Sequence, residues 1–337
     1  MKRGLVTGGC GFIGSNLVHR LVKEGWVVDV VDDMSSGNIS LLADLKMRVI
    51  PVGLLDIFHE DMKNQGRTRE SDEVYVIEGD FSSRRILQNI ANKKYDVVFH
   101  QAAIPRVSFS VENPSITTDV NISSTVRLFE ACVDNVTRVV FASSSSVYGG
   151  AEELPTSEAH PKNPKSPYAW QKSAIEDFAR MCWDLYKLDV VCLRYFNVFG
   201  PGQYGDSPYS TAVSAWCHAA KNGTECRSDG DGTQSRDMCY VDNVVQANML
   251  AAESKINFMG RFYNIACSDR TSNNEILDYF KNRFNVTVAG SPWRPGDVMH
   301  TQADISRARE ELGYEPAVRF WEGLERTVDW WNINDGD

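Results

Sequence analysis

Short, continuously apolar runs alternate with longer amphipathic segments through roughly the first 200 residues. "GLVTGG" reads as a strand, "GFIGSNLVHRLVKEG" as an amphipathic helix closed by Gly25, and "WVVDVVDD" as the next strand. "VYVIEGD" (74–80), "DVVFHQAA" (96–103), "RVVFASSSS" (138–146) and "DVVCLRYFNVFG" (189–200) are further strands. Runs of Val, Ile, Leu and Phe without alternation are buried on both faces, and strands of this kind separated by helices predict a parallel sheet covered on both sides. Ser166 and Pro167 start a helix over 166–187 that is apolar nearly all round. One of its faces packs on the sheet, and the rest needs a second cover, either another domain or a second copy of the chain.

Two regions break the rhythm. Residues 40–73 are long for a strand connection and end in the polar run "HEDMKNQGRTRESDE", which predicts a helix and an exposed loop. Beyond residue 200 the pattern turns irregular and rich in Gly, Asp and Ser, which predicts a smaller second domain. The expected division is 1–195 with a return segment at about 238–265, against 196–237 with 266–337.

Composition narrows the function. The chain has 337 residues, 42% hydrophobic, enough for a substantial core. A formal net charge of −10 argues against nucleic acid or an anionic membrane surface as partner. No apolar run approaches the ~18 residues of a membrane span. The eight cysteines form no CxxC pair and sit mostly in apolar runs, so they are expected to be reduced and buried, with no metal site. The first strand begins within a few residues of Met1, leaving no room for a signal peptide, and the expected location is cytoplasmic.

The chemistry begins at "VTGGCGFIGSN". Gly8, Gly11 and Gly14 follow a strand and open a helix, the context in which glycines let the backbone approach a pyrophosphate at a helix N-terminus. Asp32 ends the next strand, 18 residues after Gly14, where an acidic side chain binds the adenine-ribose 2′-hydroxyl and repels a 2′-phosphate. The expected cofactor is therefore NAD, not NADP. Asp80 ends the third strand, as a strand-end cap or as a holder of the adenine amino group. "YAWQK" places Tyr168 and Lys172 on one helix face. A tyrosine titrates near pH 10, and bringing it to about 7 requires roughly 4 kcal/mol. An exposed pair supplies only about a few tenths of a kcal/mol, so the pair must be sheltered and helped by another positive charge.

Together "TGGCGFIGSN", "HQAA", "DVNISSTVRLFEAC", "SSSSVYG", "YAWQK", "LRYFNVFGP", "GDGTQSRDMCYVDN", "YNIACSDRT" and "RPGDVMHTQAD" resemble the extended short-chain dehydrogenases/reductases over essentially the whole length, specifically the nucleotide-sugar 4-epimerases. The resemblance implies an α/β fold: a Rossmann-like parallel sheet with helices on both faces, plus a smaller mixed α/β substrate-binding domain. It implies an NAD site drawing on Gly8, Gly11, Phe12, Ile13, Gly14, Asp32, Asp80, Phe81, Gln101, Ala102, Asn121, Tyr168 and Lys172. Asn121 matches an asparagine that supports the lysine, or else is a polar residue that bends its helix. His100 and Gln101 are expected to pack and hydrogen-bond beside the cofactor.

The resemblance also implies a mechanism. Tyr168 takes the sugar 4-hydroxyl proton, Ser144 shares the proton path, and Lys172 holds the nicotinamide ribose and lowers the tyrosine pKa. NAD takes hydride from C4 and returns it to the other face of the 4-keto sugar. Arg236 and Arg294 match phosphate contacts, Asp297 a uridine-ribose contact and Asn197 a diphosphate or sugar contact, and Thr301 stands at the position that gates sugar size. Related dehydratases resemble "STDEVYG" where this chain has "SSSSVYG". Two serines cannot perform acid–base elimination at neutral pH, so Ser145 and Ser146 mark an enzyme that leaves the ketone alone, and they could instead bond a sugar substituent. Ser143 is expected to make local serine–backbone bonds. A small Thr301 points to UDP-GlcNAc and UDP-GalNAc, with UDP-glucose/UDP-galactose or a uronic acid form as alternatives. The expected assembly is a homodimer through helices near 115–134 and 166–187. A non-catalytic NAD-binding scaffold is the reading from a different class.

Overall fold

The computed structural model describes residues 1–66, 68–205, 211–293 and 298–333. The chain forms two compact units. The first comprises Met1–Ser143, Ser166–Leu193 and Asn248–Phe262, the second Ser144–Lys165, Arg194–Ala247 and Tyr263–Asp337.

The elements begin with β1 (Arg3–Thr7), α1 (Phe12–Lys23), β2 (Val27–Asp32), β3 (Met47–Pro51), α2 (Leu55–Asn64), β4 (Val74–Glu78), α3 (Arg84–Ala91) and β5 (Val97–His100). They continue with α4 (Val107–Glu112), α5 (Pro114–Thr118), α6 (Thr125–Cys132), β6 (Arg138–Ser144), α7 (Pro167–Tyr186) and β7 (Val190–Tyr195). A sheet of eight strands runs β12-β7-β6-β5-β1-β2-β4-β3, where β12 is Phe262–Ile265. Every pairing from β6 across to β3 is parallel. The strand order reverses at β1, flanked by β2 and β5. In open parallel sheets ligands bind beyond the carboxyl ends of the strands at such a point.

Leu5, Ile77, Val98, Val139 and Phe141 of the strands share one apolar cluster with Ile86 and Ile90 of α3, Leu128 and Phe129 of α6, and Ile175 and Ala179 of α7. Helix α1 buries Leu17, Val18 and Leu21 and packs on β1 and β2. Ser166 caps α7, its hydroxyl accepting from the Ala169 N–H, and Pro167 occupies the first turn. Buried Arg138 ties the returning 248–262 segment to β6, donating to Asp189 and to the carbonyls of Ala251, Ser254 and Ile256.

The second unit carries β8 (Val198–Phe199), α8 (Ala212–Asn222), β9 (Cys226–Asp229), β10 (Ser235–Arg236), β11 (Cys239–Tyr240), most of α9 (Val241–Glu253), β13 (Thr271–Ser272), α10 (Asn273–Phe284), β14 (Val288–Ser291), α11 (Ser306–Leu312) and α12 (Phe320–Trp331). Its strands form small pairs, β8 with β11 and β9 with β14 in parallel and β10 with β13 antiparallel. Helix α8 packs on α10 and α12, with Trp216 edge-on to Phe280.

Three expectations differ from the structure. Residues 40–73 hold a helix and loop but also β3, an edge strand whose Arg48 pairs with Glu73. Its charge and exposure hid the strand pattern. The 189–200 strand is two strands, broken where Asn197 takes a φ of 33°. Residues 144–165 and 238–247 cluster with the second unit, whereas the hydrophobic pattern assigns them to the first. The 144–165 segment adds little more than Ser144 to the sheet, and its bonds run to Gln302, Asp304 and Asn264. All eight cysteines are buried and none is in a disulfide, as expected.

Candidate active site

At the end of β1 the chain turns through Gly8, whose φ is +69° and where a Cβ would lie 2.8 Å from the Ala102 backbone. At Gly14 a Cβ would lie 2.1 Å from the Gly8 carbonyl oxygen. Only glycine allows this loop to fold back while α1 starts against it. Gly11 precedes the helix, and no side chain caps it and no acid sits in the first turn. The N–H groups of Phe12, Ile13 and Gly14 are thus left for an anion, which the partial positive charge of the helix end favours. Phe12 and Ile13 are half-buried.

Asp32 is 8% exposed, and its two carboxylate oxygens accept from the N–H groups of Cys10 (2.9 Å) and Met34 (3.0 Å). Burial raises its pKa, and those two N–H bonds oppose the rise. A carboxylate has about four acceptor sites, so Asp32 can fasten the glycine loop and still take a ribose hydroxyl. The loop, the uncapped helix start and Asp32 fit a dinucleotide. Asp80 is exposed and accepts from the Ser82 N–H (2.7 Å), which is a strand-end cap. The Phe81 side chain is buried with its ring 5.0 Å from that of His100. His100 bridges Thr7 and Thr125 (2.7 and 2.9 Å), and burial followed by the Lys172 charge drives its pKa down to about 3. It is a neutral packing group. Gln101 donates to Asn248 (3.0 Å), and the Ala102 N–H donates to Thr7 Oγ1 (3.2 Å).

Tyr168 and Lys172 project from one face of α7, both buried, with Lys172 Nζ 5.8 Å from the Tyr168 ring centre. The pair is sheltered, as the energetics of a catalytic tyrosine require. Lys172 Nζ donates to the Ala142 carbonyl (2.7 Å) and lies 4.7 Å from the Phe141 ring centre. Burial lowers its pKa from 10.5 to about 7, although Cys192 and Glu176 pull the other way. Asn121 sits in a π-helical turn, Asp119–Ser124, between α5 and α6. It exchanges bonds with the Ile104 backbone and donates to Gln171 (2.8 Å), the residue before Lys172. Turns of this kind are frequent at functional sites.

Sequence reasoning missed two groups on this helix. Gln171 is fully buried and donates to Thr117 and Thr118. Glu176, one turn past Lys172 on the same face, accepts from Ser143 Oγ (2.6 Å). This corrects the expectation that Ser143 bonds local backbone. Its partner is 33 residues away and invisible to a local reading, although the spacing Tyr168, Lys172, Glu176 is a sequence-level signal for one face.

In the second unit, Ser144 starts a short 3₁₀ turn over Ser145–Tyr148 and accepts from the Ser146 N–H (3.1 Å). Ser145 and Ser146 are half-buried, and Ser146 Oγ is shut off from solvent with no hydrogen-bond partner among the described residues. Asn197 donates to Thr301 Oγ1 (3.1 Å) and to the Asp237 carbonyl (3.0 Å), and Thr301 Oγ1 also accepts from the Asp237 N–H (3.2 Å). Two residues expected at the substrate are thereby joined across 104 positions. Arg236 NH1 donates to the carbonyls of Ser235 and Met299. Asp237, also missed, is fully buried and accepts from Cys267 and Ala303 N–H groups (2.9 and 3.0 Å); burial raises its pKa to about 7. Arg294 and Asp297 lie outside the described residues.

A parallel sheet with a glycine-rich β1–α1 loop and a sheltered tyrosine–lysine pair defines a Rossmann-like, dinucleotide-dependent enzyme. The sequence signature of the NAD dependent epimerase/dehydratase family matches residues 4–266, and the chain belongs to that family. It is 34% identical over 341 residues to a UDP-glucose 4-epimerase of Mycolicibacterium smegmatis, covering 97% of each chain. Among solved structures it resembles the UDP-N-acetylglucosamine 4-epimerase of Methanobrevibacter ruminantium M1, determined with UDP-N-acetylmuramic acid, at 34% identity and a TM-score of 0.85 over 98% of both chains. It also resembles the UDP-glucose 4-epimerase of Thermotoga maritima, determined with UDP-glucose, at 30% identity and a TM-score of 0.83 over 98% of both chains. The cofactor is NAD.

Proposed function

We propose that the protein interconverts the C4 epimers of a UDP-sugar, with UDP-GlcNAc and UDP-GalNAc as the preferred pair. The observation that carries the reading is the sheltered Tyr168–Lys172 face, accompanied by a serine strand end that holds no second acid or base. The β1–α1 loop and Asp32 hold NAD, which when bound supplies a two-electron oxidant for C4 and returns the same electrons, so no reduced cofactor is released. Tyr168 accepts the 4-hydroxyl proton and gives it back. Protonated Lys172 stabilises the tyrosinate and binds the ribose hydroxyls. Ser144 shares the proton path. Asn121 and Gln171 support the start of α7.

Ser145 and Ser146 replace the acidic pair that elimination at C5 and C6 demands, and the partnerless Ser146 hydroxyl suits a polar sugar substituent. Asn197, Arg236, Arg294 and Asp297 take the UDP portion. Thr301 leaves room for a 2-acetamido group. UDP-glucose and UDP-galactose are the second reading, favoured by the relatives that bear that name. A homodimer through α5, α6 and α7 is supported by exposed apolar side chains on α5 and α7, among them Ile116, Trp170 and Leu185, the last 62% exposed. Eight buried cysteines, none in a disulfide, support a reducing, cytoplasmic setting.

Proton NMR of the enzyme with UDP-GlcNAc and no added cofactor tests the reading. New anomeric signals of UDP-GalNAc are expected. Turnover of UDP-glucose alone moves the assignment to the second reading. Silence with both sugars and with UDP-glucuronic acid, even after NAD is added, overturns the epimerase reading and returns the scaffold.

A further inference from the structure

At the N-terminal ends of the strands, the opposite end from the dinucleotide loop, the first unit holds a cavity of about 430 Å³. Residues 40–73 build much of it, with His59, Met62 and Lys63 from α2 and Arg69 from the loop that follows. Arg3 at the start of β1 and Lys94 just before β5 complete its cationic lining. The one carboxylate in that lining, Asp29, is already engaged by Arg69 NH1 (2.5 Å) and the Tyr95 hydroxyl (2.8 Å). Arg69 is itself occupied, stacked 3.9 Å from the Tyr75 ring centre and bonded to the carbonyls of Val28 and Glu73.

That leaves Arg3, Lys63 and Lys94, whose side chains have no ion pair or hydrogen bond among the described residues. Three cations without a direct ion-pair or hydrogen-bond partner among the described residues thus line one cavity in a chain of net charge −10. Lys94 titrates below the ordinary lysine range through burial; the charges of Asp29 and Asp56 oppose this, and Arg3 adds a smaller lowering. His59 is lowered by burial and then by Lys94. An anion placed between these groups would relieve the repulsion and satisfy their N–H donors. The volume falls within the range of small-molecule sites and the cavity is too small for a macromolecule.

We propose that this cavity is a second ligand site, binding a phosphorylated small molecule with its phosphate among Arg3, Lys63 and Lys94 and its remaining part against Met62 and the tyrosine edges. The long 40–73 segment thereby gains a role, as the wall of a regulatory or stabilising site remote from the cofactor. The inference stands apart from the choice of sugar substrate.

Isothermal titration calorimetry on the holoenzyme tests it, with the nucleotide-sugar site first saturated by UDP and inorganic phosphate or pyrophosphate as probe. One-to-one binding is expected, accompanied by a rise in melting temperature with probe concentration. Lys63→Ala and Lys94→Ala are each expected to weaken the binding by roughly tenfold or more, since a hydrogen bond to a charged group is lost. Turnover without the probe should be unchanged. Lys63 is exposed, so Lys63→Glu keeps the test available if Lys94→Ala fails to fold. Equal binding to the wild type and the variants, or no binding at millimolar probe, overturns the proposal.

Discussion

Replacing Lys172 by Met should separate what the lysine does for chemistry from what it costs the fold. Lys172 is 4% exposed, and burial brings its pKa from 10.5 to about 7 in the cofactor-free protein. Between those values the unfolded chain binds a proton that the folded chain does not, so stability rises with pH across that window, and the full penalty applies below about pH 7. At about 1.4 kcal/mol per unit, (10.5 − 7) × 1.4 gives a penalty of about 5 kcal/mol. Methionine carries no such penalty, but it gives up the bond to the Ala142 carbonyl, a loss of about 1–3 kcal/mol. The variant should therefore be more stable than the wild type by about 2 kcal/mol near pH 7. The advantage should shrink by about 3 kcal/mol by about pH 9.5, where the wild-type penalty has mostly gone. Urea unfolding of cofactor-stripped protein at the two pH values measures this, alongside an activity assay in which the variant should be nearly inert. If wild type and variant lose or gain stability in parallel across the range, the lysine is not held near neutrality and the reasoning fails.

Tyr168→Phe should leave the fold and NAD content intact and reduce kcat by roughly 10²–10⁴, the range for loss of a general base; wild-type turnover would remove Tyr168 from the chemistry. Thr301→Tyr fills the gate and breaks two hydrogen bonds at Thr301 Oγ1, from Asn197 and Asp237. UDP-GlcNAc turnover should then fall far more than UDP-glucose turnover, and equal losses for both sugars would refute the gate. Trp170→Asp with Leu185→Asp puts charges on the exposed apolar face of α7 and should shift the sedimentation coefficient to that of a monomer. An unchanged coefficient would place any dimer contact elsewhere.

Much of the site was legible because its signals are local. Gly8 and Gly14 are required by a backbone that turns within seven residues, and Gly11 opens the helix between them. Asp32 follows at the end of the next strand, Ser166 and Pro167 mark the start of α7, and Tyr168 and Lys172 share a face through helical periodicity alone. Other features were not legible, for identifiable reasons. Strand β3 is an edge strand with charged and half-exposed positions, and its identity comes from pairing with β4. Cationic side chains scattered from Arg3 to Lys94 read as solvated surface until the sheet gathers them around one cavity.

The parallel sheet, the nucleotide loop, the preference for NAD and the tyrosine–lysine pair follow from local stretches of chain. Each rests on backbone geometry, charge or periodicity within a few turns of chain. Long-range packing decided which polar groups meet: Ser143 with Glu176, Asn197 with Thr301, and Asp237 with the chain at Cys267 and Ala303. It also decided how far Lys172 is buried, and hence that its proton is held near neutrality. Burial and long-range hydrogen bonds depend on which distant segments close over a group, and that is a property of the packed chain, not of any stretch of it.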